Sequence, residues 1–145
     1  MTGTVDLVIV GPEGNTHIAS SLQRAASDQG LKACVLDAQE AYRGARVLRA
    51  LLWRLGGHRP ARLSAFSSRV AARSRESRTR HLVALGQSPI TADVLCELRS
   101  AGVRCINWST DDPWNPAHCA AWHLQGLPAY ATIFTPRRST IAAFR

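Results

Sequence analysis

The sequence predicts a parallel α/β domain, a five-stranded sheet with helices on both faces. Three observations predict it: five short apolar runs recur along the chain, helical patterns separate them, and glycines mark the joints. With 145 residues, 46% of them hydrophobic, the chain can bury a real core, which excludes a disordered or fibrous class. A single domain over residues 1–145 is expected, with no internal repeat or linker.

Val5 to Val10 reads as the first strand, a β-branched and aliphatic run ended by Gly11-Pro12. A helix follows, with Ile18, Leu22, Ala25 and Ala26 on one face, Asn15 or Thr16 as its cap and Gly30 at its stop. Leu31 to Leu36 is the second strand. Residues 38–55 then carry helical spacing, with Val47, Leu48, Leu51, Leu52 and Leu55 on one side and Arg43, Arg46, Arg49 and Arg54 largely off it. Gly56-Gly57 and Pro60 break that pattern. Residues 56–80 read as an Arg/Ser-rich excursion, within which the weak apolar face of Leu63, Phe66, Val70 and Ala71 fits either a second helix or a mobile segment.

His81 to Leu85 is the third strand. Ser88 as cap, Pro89 at the first helical position, the face of Val94, Leu95, Leu98 and Ala101, and Gly102 beyond the end define the next helix. Val103 to Trp108 is the fourth strand, and Asn115 capping Pro116 opens a helix through Ala117, Ala120, Ala121 and Leu124. Ala131 to Thr135 is the fifth strand, and a last helix begins near Arg137. In the Rossmann-like order 3-2-1-4-5 the chain reverses direction between the first and fourth strands, so the loops leaving those two face one crevice.

Charge is distributed unevenly. Residues 43–80 hold eleven arginines against the single acid Glu76, a net +10 that leaves the rest of the chain at −2. Such a stretch can meet phosphate, nucleic acid or an anionic membrane surface, and arginines at helical spacing also form an ordinary solvated face. Of the 18 basic residues only Lys32 is a lysine, a skew that genome composition alone can produce. Residues 1–6 carry no basic cluster and the run to Val10 is too short for a signal or a membrane span, so a cytoplasmic protein is expected. Cys34, Cys96, Cys105 and Cys119 form no C-x-x-C pair and read as reduced thiols.

Two loops are selected by the strand order. Gly11-Pro12-Glu13-Gly14-Asn15-Thr16 suits a phosphate or a polyol, because glycine lets backbone approach a ligand and a helix N-terminus follows; a bare glycine turn needs no ligand, however. Ser109-Thr110-Asp111-Asp112-Pro113-Trp114-Asn115 sets two carboxylates side by side, a repulsive arrangement that a partner, a helix N-terminus or water must answer. A carboxylate beside an aromatic ring is how proteins grip sugar hydroxyls, while Asp112-Pro113 also fits an Asx turn and Trp114 a packing anchor. Adjacent acids do not match D-x-D metal spacing, and His118 and His123 are not an i, i+4 pair, so no metal site is expected.

From Leu82 to Ile141 the sequence resembles bacterial glycosyltransferases related to the spore-maturation protein CgeB. The residues that carry the resemblance are Gly86 with Ser88-Pro89-Ile90, Leu98-Arg99 with Gly102, Asn107 through His118 across the paired acids, and Phe134-Thr135-Pro136-Arg137-Arg138. The resemblance implies the acceptor-side half of a GT-B architecture, in which two dinucleotide-like domains face each other across a cleft. It implies acceptor contacts from Gly11, Gly14, Asn15, Trp114, Asn115 and Arg137; general-base duty for Asp111 or Asp112 is a hypothesis of its own, since the family assigns no catalytic role to these positions. The acceptor would be a sugar or polyol, with no cofactor, and a nucleotide-sugar would enter only with a C-terminal domain or a partner. Alone, half a cleft cannot align both substrates, so the chain as it stands is expected to be inactive. The alternative is a non-catalytic nucleic-acid- or anion-binding module using residues 43–80, whose binding weakens steeply with salt. A receiver-like signalling domain is disfavoured, because its acids belong after the first and third strands and a lysine after the fifth, where this chain has Arg137-Arg138.

Overall fold

The computed structural model describes residues 4–14 and 18–145. Its sheet has five parallel strands: β1 (Leu7–Gly11), β2 (Ala33–Asp37), β3 (His81–Leu85), β4 (Arg104–Trp108) and β5 (Thr132–Phe134). Helices α1 (Ile18–Asp28), α2 (Arg46–Arg54), α3 (Leu63–Glu76), α4 (Ala92–Ser100) and α5 (Ala121–Gly126) lie between them, with 3-10 turns at Ala38–Tyr42, Leu127–Ala129 and Arg138–Phe144. The predicted α/β class and its parallel five-stranded sheet are therefore present.

The strand order is 2-1-3-4-5 and not 3-2-1-4-5. The difference has a packing reason. A strand covered on both faces must be apolar throughout, and β1 and β3 carry Val8, Ile9, Val10, Leu82 and Ala84 at 0% exposure. Those two strands take the centre side by side, and β2, whose residues are all partly exposed, takes the edge.

Side chains alternate across the sheet, and the two faces are filled differently. On one face Val8, Val10, Leu82, Ala84 and Cys105 pack against Phe66 and Val70 of α3, Leu95 and Leu98 of α4, and Leu127, Ala129 and Tyr130. On the other, Ile9 and Leu85 meet Ala19 of α1, with Leu7, Leu22, Val35 and Val83 around them. The register Leu85↔Trp108↔Phe134 puts Trp108 and Phe134 on this second face. Their rings stand 6.3 Å apart and remain 38% and 53% exposed, so the β4–β5 end of this face is uncovered among the described residues.

Several local expectations change. The cap expected at Asn15 or Thr16 falls outside the described residues. Residues 63–76 are a helix with Leu63, Phe66, Val70 and Ala71 buried, which settles the alternative between helix and mobile segment. The reverse holds for α2: none of its residues is buried, and the apolar side expected to face the core faces solvent. The core space beside it is already filled by α3 and by Ala38 and Ala41. Ser88 does not cap a helix, because α4 starts at Ala92 and the Ser88 hydroxyl is taken by strand-end carbonyls. Asn115 closes only a turn, accepting from the Ala117 N–H, and α5 begins at Ala121. No helix among the described residues is long and apolar enough to cross a membrane.

Candidate functional site

In a parallel α/β sheet, ligands settle beyond the carboxyl ends of the strands where two neighbouring strands send their following helices to opposite faces. With the observed order that place is between β1 and β3, since α1 packs on one face and α4 on the other. A cavity of about 520 Å³ opens there. Pro12, Ile18, Ala38 and Leu85 give it apolar walls, Tyr42 and Trp53 supply aromatic rings, and Gln39, Gln87, Ser88, Thr110 and Asp111 supply polar groups.

The turn after β3 forms its floor. Gly86 takes φ +55°, a conformation L side chains rarely adopt, and a Cβ there would meet Thr110 Oγ1 at 3.3 Å. Its N–H donates to the Trp108 carbonyl at 2.7 Å, and its carbonyl accepts from Asn107 Nδ2 at 2.9 Å. Asn107 is fully buried and also donates to the Ala84 carbonyl at 3.2 Å, so one side chain fixes the course of the turn. Gln87 follows. Its Nε2 is buried and has no hydrogen-bond partner among the described residues.

Across the opening, Asp37 at the end of β2 accepts from the N–H groups of Gln39 at 3.0 Å and Glu13 at 3.3 Å, which orders the turn carrying Gln39 and Tyr42. Burial raises the Tyr42 phenol above its ordinary value, so it stays a neutral hydroxyl able to donate and accept. Trp53 projects from α2 and packs at 4.5 Å and a 46° tilt against the ring of His58, whose ring nitrogen meets the Cys119 carbonyl at 2.8 Å. Tyr42 and Trp53 also border a second cavity of about 400 Å³ walled by Arg46, Arg49, Arg54 and Arg59.

The residues singled out by sequence separate into two groups. Asp111 lines the crevice together with Pro12, so the loops after β1 and β4 do share a rim. Asp111 Oδ2 accepts from Thr110 Oγ1 at 3.2 Å, and its Oδ1 lies 3.8 Å from an Arg137 nitrogen. Arg137 Nε donates to the Thr110 carbonyl at 3.2 Å, which ties it to the same loop. Asp112 instead turns back to accept from the Trp114 N–H at 3.0 Å. Trp114 packs edge-on against Phe144 at 4.8 Å beside the core, and Asn115 is spent on its own turn. None of these three lines the crevice.

Gly11 is packed against Leu85, since a Cβ there would stand 2.7 Å from Leu85 Cδ1 and make that side chain shift. Gly14 accepts from the Ser20 hydroxyl at 2.7 Å, and Asn15 lies outside the described residues. Gly86, Gln87, Gln39, Tyr42 and Trp53 were missed as site residues. The glycine after the third strand was a signal for the first two, had that strand been placed beside the first. Among the described residues no three His, Cys, Asp or Glu side chains cluster as a metal would require.

No family model matches the sequence, and no curated protein matches it. A solved structure similar to this chain is the sugar isomerase domain of an RpiR transcription factor from Sphaerobacter thermophilus. It is 15% identical with a TM-score of 0.40, and the match covers 90% of this chain and 55% of that one. The CgeB-like glycosyltransferase expectation is corrected: no glycosyltransferase family model or curated protein matches the sequence, and the strand order 2-1-3-4-5 is not the 3-2-1-4-5 expected of the GT-B half. The transferase function, the GT-B half and the acceptor-side duties attached to them are withdrawn, and no finding assigns residues 43–80 to nucleic acid.

Proposed function

We propose that this chain is a ligand-binding α/β domain that holds a small polyhydroxylated molecule, of monosaccharide size, in the crevice between the carboxyl ends of β1 and β3. The observation that carries the reading is the Gln87 amide, a buried donor without an acceptor in the wall of a cavity of about 520 Å³. Buried polar groups are nearly always hydrogen-bonded, so among the residues lining the cavity Gln87 is one that holds an unused donor, which a modest turn of its side chain can offer to a ligand acceptor. Around it stand the complements a polyol needs. The Asp111 carboxylate accepts from hydroxyls, the Gln39 side chain and the Tyr42 hydroxyl do both, and the rings of Tyr42 and Trp53 offer flat apolar faces to C–H groups.

Calorimetric titration of the chain with neutral monosaccharides, open-chain polyols and their phosphates tests this reading. Saturable binding is expected for at least one of them, weakened about ten-fold or more by Gln87→Leu and by Asp111→Asn, as for loss of one or two hydrogen bonds to a ligand. Absence of saturable binding across the panel, or affinity that neither substitution alters, would refute it.

A further inference from the structure

The crevice leaves unexplained the most exposed apolar surface of the molecule. Val47, Leu48 and Leu51 on α2 and Leu55 just after it are 81%, 47%, 52% and 79% exposed. At 100° per residue they fall on one arc with Leu52, while Arg46, Arg49 and Trp53 occupy the opposite arc and Arg54 borders it. A helix that shows its apolar stripe to water and lines the other side with arginines is built for a boundary between an apolar and an anionic medium.

We propose that α2 docks this chain on an anionic phospholipid surface, with Val47, Leu51 and Leu55 entering the headgroup and acyl boundary and Arg46 and Arg54, which line one shallow concavity with them, meeting lipid phosphates and carboxylates. Charge favours this occupant over a second copy of the chain. Arg46 and Arg54 stand beside Val47, Leu51 and Leu55, so two copies brought together through this face would oppose like charges, whereas an anionic leaflet attracts both arginines. The arginines on and beside the helix are also free to do so. Among the described residues the ion pairs formed by segment 43–80 are Arg69 with Glu40 and Arg75 with Glu97, and both arginines belong to α3. An acidic polypeptide would satisfy the arginines and leave Val47, Leu51 and Leu55 in water.

The test is co-sedimentation of the 145-residue chain with vesicles of phosphatidylcholine alone and with about one-third phosphatidylserine. Binding is expected to the anionic vesicles and not to the neutral ones, to fall as salt is raised, and to drop about ten-fold or more in Leu51→Glu with Leu55→Glu and in Arg46→Gln with Arg54→Gln. Because no α2 residue is buried, both double variants should keep the parent's circular dichroism and melting temperature. Four results would overturn the proposal. They are no binding to anionic vesicles, or binding indifferent to the leucine pair; a dimer seen by light scattering that the leucine variant dissolves, which would assign the face to a second copy; and binding to polyglutamate in place of vesicles.

Discussion

The Ser88 hydroxyl lies 2.8 Å from the carbonyl oxygen of Val10, 78 residues earlier in the chain, and 2.7 Å from that of Leu85. A single hydroxyl proton is shared between the two carbonyls, so the residue after Gln87 clips the ends of β1 and β3 together directly beneath the crevice. Ser88 is 2% exposed, and its replacement removes the donor that links these two buried strand ends. Ser88→Ala is expected to cost about 1–3 kcal/mol of unfolding free energy in a urea titration.

Asn107 holds the same turn from the other side, through the carbonyls of Ala84 and Gly86. Asn107→Leu keeps the volume and removes both donors, so a loss of about 2–3 kcal/mol is expected on chemical denaturation, from two hydrogen bonds and the stranded carbonyls. Ligand affinity should fall with it, because Gln87 loses its fixed approach. Unchanged affinity in the folded variant would separate the turn from the site.

Gly86→Ala probes the left-handed backbone at φ +55° and the approach of Thr110 Oγ1 at 3.3 Å. Both effects are expected to lower stability, together by about 1–2 kcal/mol as read from the denaturation midpoint. Gly102→Ala, at φ +84° with open space around the added carbon, should show the backbone component alone.

His123 is 2% exposed, and burial pushes its imidazole down to about 4. A histidine whose folded pKa lies below its unfolded value near 6.5 binds fewer protons when folded, so it opposes folding as the solution becomes acidic. Its contribution is constant above about pH 6.5 and is lost as pH falls from there toward 4, on the order of 3 kcal/mol in all. Urea titrations between those limits should show stability falling with pH, with a shallower slope in His123→Leu.

How much of this was legible in the sequence is best seen strand by strand. The runs at Val8 and Leu82 were readable because a strand covered on both faces is apolar through its centre. Their order was not, since apolar strands of five residues give no clue to which neighbour they choose. That choice decided the site. With β3 beside β1, the crevice belongs to Gln87 and its turn, and the loop after β4 contributes only Thr110 and Asp111. The leucines of α2 misled for a different reason: periodicity shows that a helix has an apolar side, and only tertiary packing shows whether the core has room for it. The paired acids misled as well, because nothing in their spacing tells a carboxylate facing a cavity from one closing its own turn, as Asp112 does.

The bare rings of Trp108 and Phe134 make the sheet a layered body sealed at one end and open at the other. Backbone amides of β1 and β3 are screened from water on both sides, while β5, three residues long and at the margin, is screened on one. Opening should therefore spread inward from β5, with its amides exchanging hydrogen for deuterium well before those of Val8 to Val10. The floor of the crevice would keep its shape while the far margin breathes.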